Sequence, residues 1–542
     1  MATLVLQVAG GAMGAAVAGP AGAMAGRALG ALAGSAVDSS LLSALDSRKA
    51  TAAPALTDVP GLTSTEGAPI PKVYGRARIG GQLIWATRIE RVASFSSARS
   101  GAGGKGALSD AGSGKDRAWS YYANLAVGLC EGPVAFVRRV WADGDELDLA
   151  TVTMRVHGGA ADQQADPLII AKEGQDNAPA YRGLAYVVFE RLPLASFGNR
   201  IPQFSFEVVR PVNGLCAMIR AVDLIPGSTE YGYDPLWRVQ TPAEGVSAPE
   251  NRHQLHGPTD IAASLDALQA LCPNLQRVAL VVSWFGDDLR AGDCSIAPRV
   301  ERHDKPTTGD PWMVSGQARA LTRQVSLIDG RPAYGGTPSD AAVIRIIHEL
   351  VARGLAVTLY PFVMMDIAPG NGRADPLDPG SEQAPFPWRG RMTCHPGPGV
   401  PGTPDGSAEA EAQVARFFGD AAPGEFTPYF ATVVFSGAPQ WSYRRFILHY
   451  AALAALAGGV EAFVIGSEFV GLTRVRGAAG YPAADQFATL AGDVRAMLGA
   501  GCKLVYAADW TEYGAHVRNG GADVDFSPRC GLGLPAHRCS WH

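Results

Sequence analysis

The sequence predicts a multidomain protein of mixed class: an α+β, β-rich first part followed by an α/β second part that forms a partial (β/α) barrel. Three observations predict it. Between residues 67 and 212, short β-branched and aromatic runs recur between turn residues. Beyond residue 213, apolar runs of strand length follow helical patterns four times in succession. At 542 residues the chain exceeds what one hydrophobic core fills.

Composition narrows the function classes. Hydrophobic residues make up 47% and charged residues 18%, so most of the chain packs, while 65 glycines and 38 prolines supply many turns. The net charge of -5 argues against a nucleic-acid surface, which needs clustered Lys and Arg to neutralise phosphates. The eight cysteines are Cys130, Cys216, Cys272, Cys294, Cys394, Cys502, Cys530 and Cys539. None forms a Cys-x-x-Cys pair, so neither a disulfide framework nor zinc-ligand spacing is present. They read as reduced thiols of a protein assembled in the cytoplasm. No metal and no cofactor is expected.

Residues 1–45 are a Gly/Ala-rich helical segment. Gly22, Gly26, Gly30 and Gly34 recur every four residues, and Gly10 and Gly14 share that spacing. On a helix they form one stripe that lets two backbones approach closely. No basic residue precedes Arg27, so the segment lacks the start of an export signal, and Pro20 weakens it as a membrane span. Packing against a protein neighbour is the expectation, with membrane contact as the alternative. Residues 46–66, rich in Ser, Thr, Ala and Pro, read as a linker.

The β-rich domain covers residues 67–212. Its strand candidates are Gln82 to Arg88, Trp119 to Leu129, Ala135 to Ala142, Thr153 to His157, Ala185 to Phe189 and Phe204 to Val209. The glycines and lysines between Ser94 and Asp116 lack Walker spacing and read as a hairpin tip. Asp143-Gly144 lies in an acidic run without calcium-loop spacing and reads as a hairpin turn. From residue 213 to 526 the helix candidates are Thr259 to Ala270, Asp340 to Arg353, Ser442 to Ala457 and Ala483 to Leu498. The strands that follow them are Val278 to Ser283, Ala356 to Phe362, Ala462 to Ile465 and Lys503 to Tyr506. Helices alternating with apolar strands imply parallel βα units, the order of a TIM barrel.

Tyr181 to Pro211, with Ile70-Pro71-Lys72-Val73-Tyr74-Gly75-Arg76 and the strand from Gly81 to Thr87, resembles the N-terminal hub region of phage tail and baseplate proteins. More closely, it is similar to the large baseplate protein of gene transfer agents, phage-derived particles that deliver DNA. The second part resembles the glycoside-hydrolase-like TIM-barrel domain of the same protein. The matching words are Val281 to Gly286, Thr358 to Phe362, Arg444 to Tyr450, Phe463 to Glu468 and Tyr506 to Trp510. The resemblance runs from residue 1 to about Phe526. Only four strand–helix units are visible, whereas a closed barrel needs about eight. Related chains continue with a further strand, which the terminal codons can encode one base later. The expectation is therefore a frameshift near Phe526, true or introduced in sequencing, with 527–542 as an out-of-frame tail. A natural short C-terminus is the alternative.

Glu468 follows a strand end, where barrel chemistry resides, and the resemblance gives it the acid/base position at the end of the fourth strand in many glycoside hydrolases. Counted along the visible strands, it ends the third. Asp366 and Asp509 also follow strands, and Trp284, Trp388 and Trp510 are candidates for stacking on sugar faces. The second carboxylate of a retaining pair is expected on a later strand. The leading reading is a structural baseplate or tail-tip protein of a phage-like particle. Its expected partners are copies of itself, other tail proteins and cell-envelope glycan. It is expected in the cytoplasm during assembly and then at the tail tip. The alternatives are a glycoside hydrolase acting on peptidoglycan or surface polysaccharide, and a membrane-inserting delivery component.

Overall fold

The computed structural model describes residues 62–65, 67–95, 117–211, 214–225, 229–512, 516–517 and 523–524. The glycine stripe, most of the linker, the tip from 96 to 116 and the tail from 527 to 542 lie outside the described residues. The described residues belong to one compact unit.

Its first part is two antiparallel sheets. The strands are β1 (Gly75–Gly80), β2 (Gln82–Ala86), β3 (Glu90–Phe95), β4 (Arg117–Glu131), β5 (Phe136–Ala142), β6 (Asp145–Glu146) and β7 (Thr153–His157). Helix α1 (Pro167–Glu173) precedes β8 (Leu184–Pro193) and β9 (Phe204–Arg210). One sheet runs β1-β9-β5-β6; the other runs β2-β4-β8-β7, with β3 also on β4. Alternation decides which side chains meet between them. Phe204, Phe206 and Val208 of β9 turn inward and pack with Leu125, Val127, Val187 and Phe189. Between β1 and β2 the chain changes sheet at Gly81, where a Cβ would lie 2.3 Å from Val127 Cγ1. Asp143 (φ 53°) and Gly144 (φ 96°) form the expected tight turn between β5 and β6.

The second part is a parallel sheet with helices between its strands. In chain order come β10 (Ala221–Leu224), α2 (Asp260–Leu271), β11 (Arg277–Gly286), α3 (Asp340–Ala352), β12 (Ala356–Met365) and α4 (Ala408–Phe418). The hairpin β13 (Phe426–Tyr429) and β14 (Thr432–Phe435) follows, then α5 (Tyr443–Leu456), β15 (Ala462–Ser467), α6 (Pro482–Leu498) and β16 (Lys503–Ala507). The parallel order is β10-β11-β12-β15-β16. Thr259, Ser339 and Ser442 cap α2, α3 and α5, each hydroxyl accepting a backbone N–H of the first turn. Val278, Leu280, Val282 and Trp284 of β11 pack with Val357, Leu359, Phe463 and Ile465 in the core shared with the helices.

Strand β10 corrects the sequence reading. It is only four residues long and includes Asp223, so it carries little periodic signal. Counting it, β15 becomes the fourth parallel strand rather than the third. The two parts are tied where Arg252 Nη2 meets Asp148 Oδ1 at 2.5 Å and Leu149 N–H donates to the Leu255 carbonyl at 2.8 Å.

Candidate functional site

Residues at the C-terminal ends of the parallel strands converge on Glu468, which directly follows β15. Its φ of 54° is left-handed, a costly backbone for a residue with a Cβ. Its N–H donates to the Ala507 carbonyl of β16 at 3.0 Å. Its Oε2 accepts from Trp388 Nε1 and Arg389 Nη2, both at 2.9 Å. Arg389 is itself buried. Its Nε donates to the Ser467 carbonyl at 2.9 Å, its Nη2 to Ser467 Oγ at 2.8 Å, and its guanidinium lies 3.7 Å from the Phe362 ring centre. Burial lowers its pKa. The glutamate is thus held as a hydrogen-bond acceptor within an ion pair.

Beyond β16 a second group forms. Glu512 is buried, and burial pushes its pKa up. Its Oε1 accepts from Tyr506 Oη and Thr473 Oγ1, both at 2.9 Å, and its Oε2 accepts from Asp509 N–H at 2.7 Å. Asp509 Oδ1 in turn accepts from Thr511 N–H at 2.8 Å. Asp509 thus caps the turn Trp510–Glu512 through the Thr511 N–H, and the Glu512 carboxylate reaches back to the Asp509 N–H. Tyr506 Oη also accepts from Phe469 N–H at 3.2 Å, which joins this group to the residue after Glu468. Trp510 stands 82% exposed, and Trp388 is exposed as well.

The remaining expected site residues lie elsewhere. Asp366 is buried, and its Oδ2 accepts from Arg299 Nη1 at 2.6 Å and from Ser326 N–H at 2.9 Å, so it clamps loops together. Trp284 offers no ring face to a sugar. It is fully buried, with Trp441, Phe446 and His449 rings at 5.6, 5.4 and 5.2 Å. Sequence reasoning missed Arg389 and Glu512. For Glu512 a signal existed, the Asp509-x-x-Glu512 spacing; Arg389 sits in a Pro/Gly loop that carries none.

This arrangement provides an anchored carboxylate, a guanidinium and two exposed indoles. Such indoles can cover the apolar face of a ring while polar groups meet its hydroxyls. Acid catalysis by Glu468 requires a proton on a carboxyl group already engaged by two donors. Among the described residues no cluster of His, Cys, Asp and Glu could hold a metal ion, and no helix is long and apolar enough to cross a membrane.

Residues 441–528 match the family described as the GTA TIM-barrel-like domain. Over these residues the chain is similar to a TIM-barrel-like domain of the gene transfer agent type. The domain match covers α5, β15, α6 and β16, and with them Glu468, Asp509, Trp510 and Glu512. The resemblance read from the sequence is borne out there. A solved chain from the virion of a native gene transfer agent particle is 37% identical, over 36% of this chain and 44% of that one, with a TM-score of 0.24. Two structures of a GH113 β-1,4-mannanase, one of them a complex, are 16% identical over 44% of this chain and 46% of theirs, with TM-scores of 0.21. The chain spans less than half the length of each of these solved chains. No curated protein matches.

Proposed function

We propose that this protein is a structural component of a phage-like particle or gene transfer agent, placed at its baseplate or tail tip. The match of residues 441–528 to the GTA TIM-barrel-like domain carries this reading. In it, the β-rich part serves assembly with copies of the chain and with other tail proteins. The strand ends around Glu468 meet envelope glycan and hold it without cleaving it. Support for holding over cleavage comes from the Glu468 carboxylate, whose Oε2 is taken by Arg389 and Trp388. The position of Glu468 after the fourth parallel strand favours the second reading, a glycoside hydrolase.

Two measurements test the proposal. Deleting the gene from a particle-producing strain is expected to leave tails without a tip; complete, delivering particles would overturn the structural assignment. In sedimentation with purified peptidoglycan, the chain is expected to co-sediment, Trp510→Ala to weaken retention several-fold, and no reducing ends to appear. Glu468-dependent release of reducing ends would establish the hydrolase instead.

A further inference from the structure

Five charged side chains pack together beside the segment that leads to the join between the two parts. The segment runs from Thr229 to Arg252 and carries a hairpin of Val239–Ala243 and Val246–Pro249. Glu230 at its start and Glu250 at its end both converge on Glu301, Lys305 and Arg319. Glu230 and Glu301 hold each other. The Glu301 N–H donates to Glu230 Oε1 at 2.6 Å, and the Glu230 N–H donates to Glu301 Oε1 at 3.0 Å. Arg319 donates to both Glu230 oxygens, from Nη1 at 3.0 Å and from Nη2 at 2.5 Å. Lys305 Nζ donates to Glu301 Oε2 at 2.7 Å and to Glu250 Oε1, which also accepts from Thr229 Oγ1.

Little water reaches this group. Glu230, Glu250 and Lys305 are buried, and the side chains of Glu301 and Arg319 are only 12% and 11% exposed. A Cβ on Gly336 would lie 2.9 Å from Glu230 Oε1, so backbone covers that carboxylate closely. Buried charges are tolerated when they cancel. Here three carboxylates face two cations. The group is neutral with one proton on the carboxylates and carries one net negative charge without it. Glu301 is faced by Glu230, Lys305 and Glu250, with Arg319 behind Glu230. Burial, and then the Glu230 carboxylate, push its pKa up to about 7, so the odd proton leaves within the neutral range. The other charged network on the segment has no charge left over: Asp234 and Asp310 meet Arg238 and Arg345.

We propose that the segment from Thr229 to Arg252 is a pH-operated clasp, seated while Glu301 holds its proton and loosened at both ends when Glu301 is ionised. The excess charge has no solvent in place, and it is relieved when Glu230 and Glu250 draw away from Glu301 toward water. Glu250 stands two residues before Arg252, whose guanidinium meets Asp148 of the first part, and the Leu255 carbonyl just beyond accepts the Leu149 N–H. Loosening the clasp therefore loosens the join. Mildly acidic conditions stiffen the connection between the two parts, and mildly alkaline conditions give it play.

Hydrogen–deuterium exchange of the full chain at about pH 6 and about pH 8 tests it, with each rate divided by that of an unstructured peptide at the same pH. Peptides within 239–250, and the peptide holding Leu149, are expected to lose about ten-fold in protection from the lower pH to the higher, the change that a carboxyl of pKa 4.5 when open and about 7 when seated produces. At both pH values these peptides are expected to open well before α5. Glu301→Gln is neutral throughout and is expected to keep its low-pH protection at high pH. Glu250→Gln leaves two carboxylates for two cations and is expected to lose the response as well. Wild-type protection that does not change between the two conditions, a segment that opens only together with α5, or a response that persists in both variants would overturn the clasp. A loss that spares Leu149 would overturn its control of the join.

Discussion

Arg389 and Glu468 illustrate how a buried cation fixes a carboxylate. The guanidinium has little access to water, so it depends on Glu468, the Ser467 carbonyl and the Phe362 ring. Glu468→Gln keeps the shape and removes the charge. We expect a stability loss of about 1 kcal/mol, read from denaturant melts, because the glutamate itself is partly solvated. Glu301 gives a prediction with the opposite pH dependence to ordinary acid unfolding. Burial, and then the Glu230 carboxylate, push its pKa up to about 7. Between pH 4.5 and about 7 the unfolded chain releases this proton and the folded chain keeps it. Its contribution to stability therefore falls as pH rises through that window, by an amount on the order of 1–3 kcal/mol. Thermal midpoints of Glu301→Gln are expected to lack this fall; an identical pH profile would remove the assignment. At this scale the sequence was only partly legible. Glu468 was found because it follows an apolar run. Arg389 was not, because it arrives from a loop 79 residues away. Trp284 was misjudged because β11 is apolar on both faces, so alternation alone does not reveal which face meets the helices.

Secondary structure was the most legible level. The helices capped by Thr259 and Ser442 begin where the hydroxyl before an apolar run places them, and the strand from Thr153 to His157 has the expected bounds. Strand β10 escaped because its place is set by pairing with β11 rather than by its own composition. Close approaches also escape a sequence reading. A Cβ on Gly466 would lie 2.6 Å from Phe487 Cε1, within the strand that leads to Glu468. Gly466→Ala is expected to cost about 1–3 kcal/mol in a chemical denaturation midpoint. Gly81→Ala is expected to act similarly through Val127 where the chain changes sheet. If either alanine leaves the midpoint unmoved, the glycine is not required by packing.

Across the molecule, the sandwich and the parallel sheet have separate cores joined near Asp148 and Arg252. Arg252 also donates to the Gly257 carbonyl at 3.1 Å and lies 5.4 Å from the Trp237 ring centre. Arg252→Ala is expected to separate the calorimetric transitions of the two parts, lowering the first by a few degrees. A single unchanged transition would show that the join lies elsewhere. The seating of the β13–β14 hairpin also has a mechanical consequence. A pull on Phe430 reaches Thr432, passes through the Asp340 carboxylate to α3 and, by way of His449, to α5. Both helices run alongside the strands they connect, so the load enters the parallel sheet as shear along its strands rather than as peeling at an edge. Rows of hydrogen bonds loaded together resist where single bonds would part in turn.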